Sequence, residues 1–550
     1  VIRKLCAAFL LVASLPPTLI AQTAPPSSPI LLKAADLLAD VAILRHAFEQ
    51  LHPGLYRYSS HARMDEKFAA LARQMDHDQS LADAYLAISA FTAQVRCGHT
   101  YANFFNQSDL VAKALFQTQP RVPFLFVWIK GSMVVTTDLT PNHQLPRGTR
   151  VLAINGNAAP AILTRLLTVA RADGANDAKR VASMGLLGDS KYEAFDIFYP
   201  LLFPSARSGF ALRIQAPGIE KVHTVQVAGL TYAQRAAAVS VNASGGKDDA
   251  LFTWKTLPDG SAYLVMPTWA VYNSKWDWKT WLNQHLDEAA ANGAPNLIVD
   301  LRGNEGGNDV GNEILTRLVH TDLRLSTLRR FTRYRRVPDD LAPYLDTWDP
   351  SFRDWKDAAA PLAAPFPTAP DGVDYFQLTR SDDSPDGDVI HPAAKPFLGH
   401  IAVLVDANNS SATFQFAQII QQNHLGLLSG APTGGNQRGI NGGAFFFLRL
   451  PHSGLEVDLP LIATFPQTPK PDSGLTPDVL TTPSAQDIAS NHDSTLAAVR
   501  TALRHTTRSR TKSGSVAALS SAWNRAVTEG KSQTENALDG SSSRARNGPL

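Results

Sequence analysis

Two short runs constrain this chain more than anything else in it. Asn-Leu-Ile-Val-Asp (296–300) and His-Ile-Ala-Val-Leu-Val (400–405) are apolar at most positions and carry β-branched Ile and Val, the pattern of a strand buried inside a sheet. Each runs into a polar or glycine-rich turn and then into a helical pattern. After the first run comes Gly-Asn-Glu-Ile-Leu-Thr-Arg-Leu-Val (311–319); after the second, Ala412, Phe414, Ala417, Ile419 and Ile420 fall mostly at helical spacing. Strand, turn and helix repeated along one stretch predict an α/β layer. Ser-Ala-Tyr-Leu-Val-Met-Pro-Thr-Trp (261–269) reads as a further strand, and residues 276–292 as a helix. At 550 residues the chain exceeds one compact core, so this layer is expected to be one of two or three domains.

The layer is placed at residues 248–482, interrupted at 326–395 by a segment rich in Pro, Asp and aromatics, among them Trp348, Phe352 and Trp355. Such an insertion is a lid or substrate wall, or equally a decorated surface loop. Upstream, Leu37, Leu38, Val41, Leu44, Phe48 and Leu51 recur every three or four positions until Pro53-Gly54, which predicts a helical domain over 32–105. Residues 115–232 change texture to short strands: 122–129, 132–139, 149–156, 210–216 and 223–229. Within them, Gly148 leads through a strand to Asn155-Gly156, a hairpin-type turn. That segment is similar to part of a PDZ domain, which binds peptides by strand addition, though a generic hairpin reads the same way. One helix is expected over 483–504 and a disordered tail over 505–550.

At the other end, Arg3 and Lys4 precede an apolar run over residues 5–15, and Leu19-Ile20-Ala21 ends in a small residue. This predicts an export signal over 1–21, a linker over 22–31, and a periplasmic or secreted protein. Pro16 and Pro17 argue against a spanning helix; an uncleaved anchor is the alternative. With Cys6 in the signal, Cys97 would stand alone in the mature chain, without an intrachain disulfide. No Cys/His group has zinc spacing, and no metal or organic cofactor is expected. A net charge of +2 and 44% hydrophobic content give no reason to expect nucleic acid or an anionic membrane as partner.

Three stretches carry residues suited to chemistry. The turn after 296–300, Leu301-Arg302-Gly303-Asn304-Glu305-Gly306-Gly307-Asn308, has glycines that let backbone N–H groups face a ligand or an oxyanion. It lacks the Lys-Ser/Thr of a phosphate loop, and a purely structural turn is an open alternative. Ser411 stands where strand becomes helix, as a nucleophile at an elbow does, although Ser and Asn cap helices routinely at such junctions. Arg96-Cys97-Gly98-His99-Thr100 follows a helix and puts a histidine, a possible general base, in a tight glycine turn.

Together these stretches resemble the C-terminal-processing (tail-specific) serine peptidases, in particular their tricorn-like branch. Asp300 to Gly307 matches that family's "D-L-R-G-N-x-G-G", and Ser411-Ala412-Thr413 its "S-A-[ST]-E". Gly430 to Gly435 matches "G-E-P-T-x-G", and Gly474 to Val479 the closing "G-[IV]-x-P-D-[VI]". The likeness covers most of residues 35–480 and implies a crotonase-like ββα core. The departures are informative. Asn436 stands where the bacterial enzymes place a catalytic lysine, and Phe414 replaces the usual glutamate after "S-A-T". Gly98-His99-Thr100 fits the histidine segment of the tricorn-like branch. Pro471 occupies the position of that branch's carboxylate, with Asp472 one step later.

The resemblance therefore implies an exported serine hydrolase that cleaves peptides or unfolded proteins. Ser411 is its nucleophile and His99 its base, with Asp472 the orienting acid and Glu456 held in reserve. The N–H groups of Ala412 and of Gly306 or Gly307 form the oxyanion site. The alternatives are a catalytically inactive relative that binds peptides or lipophilic ligands, like retinoid-binding members in the eye, or a structural or transport module.

Overall fold

The structure is a computed structural model that describes residues 29–205, 208–242, 251–272, 274–325, 329–378 and 389–513. The expected signal at 1–21, most of the linker, and residues 514–550 of the expected tail lie outside the described residues. At the centre of the α/β layer is a six-stranded sheet. Its order is Val479–Leu480, Leu427–Gly430, His400–Val405, Asn296–Asp300, Ala262–Val265, Thr253–Thr256. Neighbours run parallel except for the last pair.

The unbroken apolar character of the central strands follows from cover on both faces. Leu297, Val299, Val403 and Val405 pack with the helices Trp278–Ala291, Gly311–Leu318 and Ser411–Gln422. The alternate residues Ile298, Ala402 and Leu404 meet Val499 and Leu503 of the helix Ser494–Ser513 on the opposite face. Alternation along a strand thus distributes apolar side chains to two cores.

That last helix corrects one expectation. In place of one helix over 483–504 there are two, Ala485–Ala489 and Ser494–Ser513, so helix continues into the residues read as tail. A reciprocal cap between Ser484 and Asp487 starts the first.

The segment 326–395 also differs from expectation. Its described parts contribute Arg329–Thr332, Leu345–Asp346, Ala359–Pro361 and Phe376–Leu378 to a second, antiparallel sheet. The spine of that sheet is a hairpin of Asn441–Arg449 and Glu456–Phe465, which the sequence reading did not anticipate.

The three helices Ala34–Leu51, His61–Gln74 and Leu81–Val95 share one continuous core with this second sheet and with the β-rich unit, through Phe48, Tyr85, Phe446 and Leu459 among others. The β-rich unit is an antiparallel sheet in the order Phe124–Ile129, Ser132–Asp138, Arg150–Ile154, Gly209–Gln215, Val222–Ala228. Asn155 and Gly156 both have positive φ, 50° and 85°, as a two-residue primed turn requires, and Ile154 pairs with Asn157 across it. Among the described residues no helix is long and apolar enough to cross a membrane.

Candidate active site

Ser411 opens the helix Ser411–Gln422 with φ at 52°. A side chain with a Cβ reaches this left-handed region at a cost of roughly 1–2 kcal/mol, so the conformation is imposed by its surroundings. Asn409 imposes much of it. Its fully buried amide accepts from Asp406 N at 2.7 Å and donates to Leu301 O at 2.5 Å and Asn304 O at 3.0 Å. Thr413 Oγ1 also donates to Asn304 O, at 3.0 Å, and Gly303 N donates to Asp406 Oδ2 at 2.9 Å. The serine elbow and the glycine-rich turn are one cross-linked unit. The neighbouring Ser410 caps no backbone amide of the helix; its hydroxyl donates to Glu305 O at 3.2 Å.

The two glycines of the turn are not equivalent. The Gly306 amide donates to Asn304 Oδ1 at 2.9 Å in a buried contact, so it is unavailable to an oxyanion, which corrects one of the expected donors. Gly307 forms a parallel bridge to Trp269, in which Trp269 O accepts from Asn308 N at 2.9 Å and Trp269 N donates to Gly306 O at 3.3 Å. The N–H of Gly307 itself therefore points away from Trp269. Neither it nor the N–H of Ala412 has an acceptor among the described residues. Gly306 lies against the elbow: a Cβ built there would stand 2.9 Å from both Ala412 N and Ser411 Cβ.

His99 comes from the far end of the chain. The helix Leu81–Val95 ends at Arg96, left-handed at φ 60°, and the chain turns through Cys97 and Gly98. Both sides of the turn are held. Gly98 N donates to Asp173 Oδ1 at 2.8 Å, and Arg171 Nη1 donates to Gly98 O. At Thr100, the next residue after His99, His52 joins the turn: its Nδ1 accepts from Gly54 N at 3.1 Å, so its Nε2 carries the proton and donates to Thr100 Oγ1 at 2.7 Å. Cys97 is 1% exposed, accepts from Asn441 Nδ2 at 3.3 Å, and has its thiol pushed up to about 11 by burial and then by Asp173. It is a packed thiol, not a thiolate.

Burial lowers the pKa of His99, with Asp173 opposing, so the imidazole is neutral near pH 7, as a base must be. Its Nδ1 is buried and has no hydrogen-bond partner among the described residues. The ring sits over Gly442, where an added Cβ would lie 3.7 Å from Cε1. Beyond it stands Phe445, ring to ring at 5.9 Å, and then Trp348, 5.8 Å from Phe445 and 58% exposed.

The resemblance had singled out neither Glu305 nor the residues that meet it. Lys179 Nζ lies 2.6 Å from Glu305 Oε1 and Arg171 Nη2 3.4 Å from Oε2. Burial would raise the pKa of this carboxyl, but Lys179 and then Arg171 outweigh it and bring it down to about 2. Lys179 also donates to Asn408 O at 3.1 Å. Arg171 therefore ties the glycine-rich turn beside Ser411 to the turn that carries His99. Glu305 occupies the variable place of the glycine motif, so its position was visible in the sequence; its two cations, more than a hundred residues away, were not.

The expected acids lie elsewhere. Asp472 Oδ1 accepts from Ala175 N at 2.9 Å and Asn436 Nδ2 at 2.7 Å, and makes no hydrogen bond to His99. Asn436 is buried and bridges onward to Asp173 O at 3.2 Å; having no basic nitrogen, it is a brace. Glu456 pairs with Arg449 at 2.9 Å on the long hairpin. Among the described residues no group of His, Cys, Asp and Glu is arranged to hold a metal ion.

A search of curated protein sequences finds no match to this chain. Among solved structures, mature CPAF complexed with lactacystin aligns with a TM-score of 0.57 at 14% identity, over 84% of this chain and 96% of that one. Mature CPAF without that ligand gives 0.52 at 13% identity, over 84% and 95%. Identities this low speak to the fold. The family model is more specific: residues 260–479 match peptidase family S41, a span holding the central strands, the glycine-rich turn, the serine elbow and the long hairpin. That match makes residues 260–479 a domain of peptidase family S41, the C-terminal-processing peptidases, and supports a serine-type peptidase.

Proposed function

We propose that this chain is an exported peptidase of the tricorn-like kind, in which Ser411 is the nucleophile and His99, not a lysine, is its base. The observation that carries the reading is Ser411 itself: left-handed, at the strand-to-helix junction, beside the unpartnered amides of Gly307 and Ala412. His99 Nε2 takes the Ser411 proton as Oγ attacks the peptide carbonyl, then returns it to the leaving amine. The negative charge on the carbonyl oxygen falls to Gly307 N–H and Ala412 N–H, fixed in place before substrate arrives. A lysine base has no support: Asn436 holds its place, and the Lys179 ammonium is taken up by Glu305 and Asn408.

We read the parallel sheet and its helices as a crotonase-like core, and the five-stranded unit as PDZ-like. The Phe445–Trp348 ledge beside His99 suits a large apolar side chain of the substrate, next to the scissile bond. A serine-directed fluorophosphonate should label wild type and Ser410→Ala but not Ser411→Ala. Peptide hydrolysis should fall by roughly 10⁴- to 10⁶-fold in Ser411→Ala and about as far in His99→Ala, with the double variant little worse, since the pair acts as a unit. Wild-type turnover by His99→Ala would defeat the reading, and labelling lost in Ser410→Ala alone would move the nucleophile by one residue.

A further inference from the structure

We infer that Asp173, on the loop Arg171-Ala172-Asp173-Gly174-Ala175-Asn176 of the β-rich unit, is the carboxylate that positions His99, in place of Asp472. The inference rests on the Ser411/His99 reading above. Three observations carry it. Asp173 is 3% exposed, and its Oδ1 already holds the turn through Gly98 N at 2.8 Å. Its Oδ2 faces the same turn, 2.9 Å from where a Cβ on Gly98 would lie, and accepts no hydrogen bond among the described residues. Next to it on the chain, the Nδ1 of His99 is buried without a partner. Leaving such an atom unsatisfied costs about 1–3 kcal/mol, and catalytic contacts that are long in a free enzyme tighten when substrate closes the site.

The charges around the ring favour the same residue. Asp173, Arg171, Glu305 and Lys179 all act on His99. Glu305 is shared between Lys179 and Arg171, whereas Asp173 is tied in no ion pair among the described residues. When His99 becomes an imidazolium, its Nδ1–H would gain a carboxylate that no ion pair among the described residues engages. The proton passes from Ser411 Oγ to Nε2 and on to the leaving amine, and none comes to rest on Asp173. Because Asp173 touches no reacting atom, it is a positioning residue.

Asp472 has a different task in this arrangement. Through Ala175 N and Asn436 it braces the loop that bears Asp173. The brace is tight. Gly174 sits at φ 56°, and a Cβ there would fall 2.0 Å from Asp472 Oδ1 and 2.3 Å from Asn436 Nδ2.

Asp173→Asn separates charge from scaffold, because its amide oxygen still accepts from Gly98 N. Two readouts test it. The first is the pKa of His99 by nitrogen-15 NMR in the folded protein, with the signal identified from its absence in His99→Gln. Removing the anion should lower that pKa by about 1 unit in Asp173→Asn, with a much smaller change in Asp472→Asn. The second is hydrolysis: kcat in Asp173→Asn should drop about 10²- to 10⁴-fold at near-constant KM, and the acid limb of kcat/KM should move to lower pH. A His99 pKa that shifts in Asp472→Asn and holds in Asp173→Asn overturns the inference. The NMR readout needs no turnover, so it stays separate from any failure of Ser411 and His99 as the reactive pair, which the Ser411→Ala and His99→Ala assays detect.

Discussion

Replacing Asn409 with alanine should uncouple the serine elbow from the glycine-rich turn, and the loss can be worked out bond by bond. The side chain makes three hydrogen bonds, to Asp406 N, Leu301 O and Asn304 O. Two of those partners keep another donor, since Asn304 N reaches Leu301 O at 3.0 Å and Thr413 Oγ1 reaches Asn304 O at 3.0 Å. The Asp406 N–H keeps none. One orphaned buried donor at about 1–3 kcal/mol, plus two lost bonds at about 0.5–1.5 kcal/mol each, gives a destabilisation of roughly 2–6 kcal/mol. Activity should suffer beyond this, because a misplacement near 1 Å between nucleophile and oxyanion donors costs on the order of 10²-fold in rate. Asn409→Asp keeps the acceptor for Asp406 N but sets a carboxylate against two carbonyls. The assay is urea unfolding followed by circular dichroism, with kcat measured on protein that is still folded. An Asn409→Ala protein with an unchanged urea midpoint and wild-type kcat would refute the claim that this amide holds the elbow.

Other substitutions probe other parts of the site. Cys97→Ser should retain most activity and lose about 1–2 kcal/mol, and iodoacetamide should alkylate the folded protein slowly; rapid alkylation with complete inactivation would make the thiol the nucleophile. His52 is fully buried, with its pKa lowered to about 3 by burial, below the 6.5 of an exposed imidazole. The unfolded chain therefore binds the extra proton first, so His52 costs stability as pH falls from about 6.5 to about 3, a sum on the order of several kcal/mol. His52→Gln should flatten the urea midpoint across that window, and an unaltered slope would count against the assignment. Trp348→Ala should lower kcat/KM by roughly 10-fold or more for peptides with an aromatic beside the cleaved bond, and little for their alanine counterparts, since such side chains carry the largest apolar contact. Equal losses on both would reject the ledge.

The parts of the fold legible in the sequence are those whose signal is local. Asn296–Asp300 and His400–Val405 read as buried strands because both faces of each are covered, which leaves an unbroken apolar run. The hairpin Asn441–Arg449 and Glu456–Phe465 went unread for the opposite reason. Gly442 and Gly443 weaken the pattern, and a bulge between Gly442 and Phe445 shifts the alternation partway along. The pieces of 326–395 are two to four residues long and become strands through partners far away in sequence. Ser411 and His99 could be proposed from sequence because each sits in a short motif. The choice between Gly306 and Gly307 was not legible, since Asn304 Oδ1 decides which amide is left free. Nor was the contact between Gly98 and Asp173, which spans 75 residues and is set by how a loop docks.

Arg171 and Lys179 clamp Glu305 from outside the sheet, and this gives the enzyme an interlock. Ser411 and the amide of Ala412 belong to one stretch of chain, the amide of Gly307 to a second, His99 to a third, and Arg171 and Lys179 to a fourth. A chain whose β-rich unit has been pulled aside would keep the elbow cross-linked through Asn409 but lose the tie that Arg171 makes between Glu305 and the turn of His99. Under the proposed Ser411/His99 pairing, hydrolysis would require that tie to be in place. On the same proposal, loosening Arg171 from Gly98 would lower hydrolysis while leaving the serine elbow in place.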